Sequence, residues 1–172
     1  MRHRDHFMAD NQFIEVDAPH LCVMENESDE LCNDGIYGKA MAEYLQAELK
    51  KSGYIVSWVV CEDWGWYVPA EIDGFRLGIC VYGIPREDDE TVATIFEKHG
   101  GPPTELCIEP TGIPLALCVT VHTQARRYWD WRRFRRIDRS GLVSNLNHDL
   151  LTIFQDDPAI TVVRCCDEFP LG

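Results

Sequence analysis

The stretch Tyr54–Tyr82, YIVSWVVCEDWGWYVPAEIDGFRLGICVY, decides how the chain folds. Tyr54, Val56, Trp58 and Val60 alternate with Ile55, Ser57, Val59 and Cys61, a period of two that reads as a strand buried on both faces or nearly so. A second strand is expected from Trp66 to Ile72 and a third from Phe75 to Tyr82. Between these, Asp73-Gly74 suits a two-residue loop of the type I′ kind, where glycine tolerates a positive φ. Three consecutive antiparallel strands make a meander.

The bend inside that stretch, Cys61-Glu62-Asp63-Trp64-Gly65-Trp66-Tyr67, sets two carboxylates beside three large aromatics. Glu62 and Asp63 suggest a cation site or an acid–base pair against an aromatic wall. Adjacent strand residues point to opposite faces, however, so the two acids converge only if the turn is sharp. The sequence favours a fold-defining turn: Gly65 permits a bulge, the tryptophans cover sheet faces, and the acids meet solvent. Exposed Trp64 or Tyr67 would then be free to anchor a partner.

Upstream, IYGKAMAEYLQAELKKSG changes the period to that of a helix over 36–52. Ile36, Ala40 and Tyr44 stack beside Tyr37, Met41, Leu45 and Leu49, with Gly53 as a C-terminal cap. Phe13–Val16 and His20–Met24 are compatible with one opening strand split by Pro19, followed by an acidic loop at 25–30. Downstream, Glu87–Glu90 load the start of a short helix carrying Val92, Ile95 and Phe96. Leu106–Ile108 reads as a short strand, and Leu115, Leu117, Val119 and Val121 alternate as another. Ser140 suits the N-cap of a helix burying Leu142, Leu146, Leu150 and Ile153 or Phe154. Ile160–Val163 closes the chain as a strand. The expected architecture is one α+β domain: a mostly antiparallel sheet of about five or six strands with a central meander, packed by two or three helices. Residues 1–12 read as a flexible polar leader.

Composition narrows function. No apolar run approaches the roughly 18–20 residues that span a bilayer, which argues against a membrane role. None of the eight cysteines forms a CxxC, and several sit in apolar alternating runs, so a reduced, cytoplasmic protein is expected. No pair of Cys/His clusters has zinc spacing, and GxSxG, Gly-rich phosphate loops and HExxH are all missing. Neither metal nor cofactor is expected, and a cysteine nucleophile at Cys118 or Cys107 with His122 or His148 is disfavoured because Cys118 lies mid-strand in an apolar run.

The net charge of −13 is unevenly spread. Between Arg126 and Arg139, seven arginines against Asp130 and Asp138 leave +5 there and −18 for the remainder. A body this acidic repels phosphates, so nucleic acid is an unlikely partner and a basic protein a favoured one. Within ARRYWDWRRFRRIDR, the residues Arg126, Arg127, Arg132, Arg133, Arg135 and Arg136 are candidate anion-binding groups, or intramolecular answers to the acidic loops. The spacing of Tyr128, Trp131 and Phe134 favours a helix there.

The segment Ile36–Gly83 resembles small acidic bacterial proteins of uncharacterised families, some of them immunity partners of toxins. That resemblance implies an interaction protein and attaches no catalytic residues. The combined expectation is a non-catalytic immunity or inhibitor protein that neutralises a basic toxin or enzyme. Glu25, Glu27, Asp29, Glu30, Glu87, Asp88, Asp89 and Glu90 would supply attraction beside Glu62 and Asp63, with Trp64, Trp66 and Tyr67 as anchors. The competing expectation is a small enzyme or ligand-binding domain with a pocket between helix 36–52 and the sheet.

Overall fold

The computed structural model describes residues 13–33, 35–86, 111–122, 127–130 and 135–171. In chain order these form β1 (Phe13–Asp17), a 3-10 turn (Glu27–Glu30), α1 (Lys39–Lys51), β2 (Val60–Glu62), β3 (Gly65–Ile72), β4 (Phe75–Pro85) and β5 (Leu115–His122). β6 (Arg127–Asp130), β7 (Arg135–Asp138), α2 (Ser140–Asp156) and β8 (Thr161–Cys166) follow. Six strands make one antiparallel sheet in the order β2-β3-β4-β5-β1-β8, and β6 pairs with β7 as a separate ribbon. The fold is α+β, with the meander β2-β3-β4 forming one side of the sheet.

Alternation sorts the sheet into two faces. Trp66, Val68 and Ala70 pair with Val81, Ile79 and Leu77, and Val81 and Ile79 pair onward with Val119 and Val121. This face carries both helices through one core that takes in Met41, Leu45 and Leu49 of α1 and Val143, Leu146, Leu150 and Phe154 of α2. Each such burial is worth about 1.5–3 kcal/mol against an exposed side chain. Met41, Leu45 and Leu49 are fully buried in this core.

The opposite face is aromatic. Trp58 and Tyr67 rings lie 6.0 Å apart, Trp64 meets Tyr67 edge-on at 6.0 Å, and Tyr82 reaches Phe169 at 5.1 Å. Beneath them Cys80 and Cys118 are buried.

The turns follow their residues. Asp73 (φ 51) and Gly74 (φ 75) join Ile72 to Phe75 as a two-residue loop with both φ values positive, as type I′ requires. Helix α1 closes with Gly53 N–H donating to the Lys50 carbonyl and Tyr54 N–H to the Leu49 carbonyl, the paired bonds of a Schellman motif. At Gly65, φ is 144° and a Cβ would stand 2.5 Å from the Val81 carbonyl oxygen. Gly65→Ala is therefore expected to destabilise the protein by about 2 kcal/mol, read as a lowered urea midpoint with unchanged slope.

Four expectations need correction. Helix α1 starts at Lys39 rather than 36, because Tyr37 bridges to Gly83 and Gly38 sits at φ 138°, outside the helical region. His20–Met24 is not a strand; the chain turns after Asp17 and Val23 bonds through its backbone to Ile113 and Gly112. The run 54–61 is not a strand buried on both faces: only Val60–Glu62 is a strand, joined upstream by an Ile55–Glu71 bridge, and it lies at the sheet edge. Residues 127–130 and 135–138 form strands rather than a helix. Their register sets Arg127 opposite Asp138 and Asp130 opposite Arg135. The short helix at 87–96, the strand at 106–108 and the leader at 1–12 lie outside the described residues.

Candidate functional site: the β2 edge and its acidic loop

The turn Asp63-Trp64 joins β2 to β3, and the loop preceding α1 is fastened to this hairpin by three bonds. Cys32 N–H donates to Cys61 Sγ at 3.4 Å, Cys32 Sγ–H donates to the Cys61 carbonyl at 3.3 Å, and Asn33 Nδ2 donates to the Asp63 carbonyl at 3.2 Å. Segments about thirty positions apart are thereby held together, and exposed acids of both belong to one edge of the sheet.

The described acids have different fates. Glu62, Asp63, Asp29 and Glu30 are exposed, and Glu30 pairs with Lys39. Glu25 is exposed at the other end of the loop, beside a shallow groove that includes His20, Glu43 and Tyr44. Glu27 is a correction: it is fully buried and offers no surface charge. Its Oε1 accepts from the Gly38 and Lys39 N–H groups, both at 2.8 Å, and its Oε2 from Met24 N–H at 3.0 Å. The carboxylate caps the N-terminus of α1 from a distant loop, meeting orphan donors and the positive end of the helix dipole. Glu87, Asp88, Asp89, Glu90, Arg126, Arg132 and Arg133 lie outside the described residues. Arg127, Arg135 and Arg136 stand on the two-stranded ribbon.

Of the expected anchors, Trp66 is likewise corrected. It is 2% exposed, on the helix-bearing face, with the Lys39 ammonium 5.8 Å from the ring centroid. Trp64 is half-buried, stacking on His122 at 6.3 Å and touching Tyr82 at 6.0 Å. Tyr67 is half-buried between Trp58 and Trp64. The exposed aromatic not singled out from the sequence is Trp58, 43% exposed, with Val60 at 37% and Ile55 at 63% along the same edge. An alternating pattern marks a strand but not whether a further strand covers its outer side.

The nucleophile reading finds little support in the thiols. Burial pushes Cys80 and Cys118 up to about 12, so both remain protonated near neutrality. Cys107 falls outside the described residues. Among the described residues, no group of three or more His, Cys, Asp or Glu side chains is placed to hold a metal ion. No described helix is long and apolar enough to cross a membrane.

A second acidic feature lies between the helices. A cleft of about 470 Å³ is lined by Tyr44, Glu48 and Ser52 on one side and by Asp149, Asp156 and Asp157 on the other. Tyr44 hydroxyl donates to Asp157 Oδ2 at 3.0 Å, and Tyr54 hydroxyl to Asp149 Oδ2 at 2.6 Å. Burial first, and these carboxylates second, raise both tyrosine pKa values. A raised folded-state pKa contributes stability below the unfolded value, about 10 for tyrosine, and loses it as pH climbs through the folded one. Urea unfolding is thus expected to weaken above about pH 10, and a Tyr44→Phe, Tyr54→Phe double variant to show a shallower decline.

No protein-family model matches the sequence, and neither a curated protein nor a solved structure is significantly similar to it.

Proposed function

We propose that the protein is a non-catalytic binding module that docks a basic protein through the β2 edge, as an immunity or inhibitor protein neutralising a basic toxin or enzyme would. The observation that carries this reading is the fastening of the acidic loop onto the β2–β3 hairpin, which joins exposed acids to an exposed tryptophan at a sheet edge that no other described strand pairs with. Asp29, Glu30, Glu62 and Asp63 steer the encounter, and Glu25 extends the field along the loop. Trp58 and Val60 supply the apolar contact that holds the complex, because aromatic anchors dominate interface energetics.

The roles separate experimentally. Tagged full-length protein is incubated with extract of its source cells at low and moderate salt, and basic proteins retained in near-equal amount are identified. Neutralising Asp29, Glu30 and Glu62 as amides is expected to slow association with that protein roughly tenfold at low salt and to flatten the salt dependence. Trp58→Ala is expected to cost about 2 kcal/mol of affinity, mainly through faster dissociation, while leaving the urea midpoint near wild type. Binding that survives both changes would defeat the proposal.

A further inference from the structure

We propose that Cys32 and Cys61 form a redox site at which a hydroperoxide closes a disulfide, clamping the acidic loop onto the β2–β3 hairpin. The two residues are 29 positions apart, yet each thiol sits within hydrogen-bond distance of the other residue's backbone. Cys32 is exposed and Cys61 is buried, a division of labour between an attacking thiol that meets oxidant and a resolving thiol that waits behind it. Cys61 S–H points to the Glu62 carbonyl at 3.7 Å while its sulfur accepts the Cys32 N–H. Burial raises the Cys61 thiol above its ordinary pKa, and that N–H offsets part of the rise by favouring the thiolate. The clamp sits where the loop is already held at its other end by buried Glu27, so little backbone freedom remains to be lost on closure.

The chemistry balances. Deprotonated Cys32 attacks the terminal oxygen of the peroxide, the O–O bond breaks, and the departing alkoxide or hydroxide takes up a proton, leaving a sulfenic acid on Cys32. The Cys61 thiolate then attacks the Cys32 sulfur, the S–O bond breaks, and hydroxide leaves as water. Two thiols lose two electrons, and one hydroperoxide is reduced to an alcohol, or to water from hydrogen peroxide, with one further water released.

The test exposes the reduced full-length protein to hydrogen peroxide, quenches free thiols and compares intact mass and unreduced peptide maps. The expected result is a loss of two hydrogens, one crosslinked peptide pair joining the Cys32 and Cys61 segments, and reversal by dithiothreitol. Cys32→Ser, at an exposed position, should fold normally and lose the crosslink. A disulfide confined to other pairs, such as Cys165 with Cys166, would overturn the assignment, as would peroxide adding only oxygen to Cys32. The oxidised protein should also melt about 10 °C higher, and an unchanged or lower midpoint would refute the clamp. None of these readouts involves a partner, so they stand apart from the test of the docking edge.

Discussion

Glu27→Ala is expected to lower the free energy of unfolding by about 3 kcal/mol, a large fraction of what holds a domain of this size together. The alanine leaves three N–H groups, of Met24, Gly38 and Lys39, without their carboxylate acceptor. Gly38 is buried, so water cannot simply replace the lost oxygen there. A buried donor stripped of its partner costs about 1–3 kcal/mol, and three sharing one acceptor add less than their sum. The helix dipole loses its compensating charge as well, worth about 0.3–1 kcal/mol. Glu27→Gln keeps one acceptor oxygen but turns an NH₂ toward donors, so it should fall between the wild type and the alanine variant. Urea unfolding measures both, and a loss under about 1 kcal/mol for the alanine would show that the carboxylate is not the cap. Amide exchange should localise the damage, with protection lost first across 37–42.

Trp66→Ala is expected to cost about 4 kcal/mol, since a large, fully enclosed side chain is replaced by a cavity that close packing cannot collapse. Trp66 pairs with Cys61 and Val81 at the centre of the meander and sits beneath Lys39, so the loss spreads to the contact between the sheet and α1. Its indole Nε1 is buried with no hydrogen-bond partner among the described residues. Trp66→Phe removes that unpaired donor along with the second ring, and should cost less than half as much as the alanine. The contrast with Trp58→Ala is the informative one. Trp66 variants should unfold more easily and Trp58 variants should not, although both tryptophans stand in the same twenty residues. Equal destabilisation by the two alanine variants would mean that Trp58 is a core residue and no anchor.

Much of the frame was legible because local chemistry and tertiary structure agree. The apolar spacing of 36–52 and Gly53 announced α1 to within a turn, and Asp73-Gly74 marked the hairpin that sets the register of β3 against β4. What escaped depends on contacts remote in sequence. Glu27 looks like any member of an acidic loop until Gly38 and Lys39, over ten residues later, present their N–H groups to it. The edge position of β2 follows from strand order, which period two cannot reveal. Aromatics three apart in 128–134 fit a helix on spacing alone, whereas the pairing that wins sets Arg127–Asp130 against Arg135–Asp138. The partnership of Cys32 with Cys61 belongs to the same class, since neither forms a recognisable motif.

The docking edge itself is tested most directly by amide hydrogen exchange of the protein, free and bound to the basic protein it captures. The expected result is new protection concentrated in 28–33 and 57–63, with the α1–α2 cleft and β8 unchanged. Protection confined to β8 or to the cleft, with the β2 edge exchanging as freely as before, would contradict it.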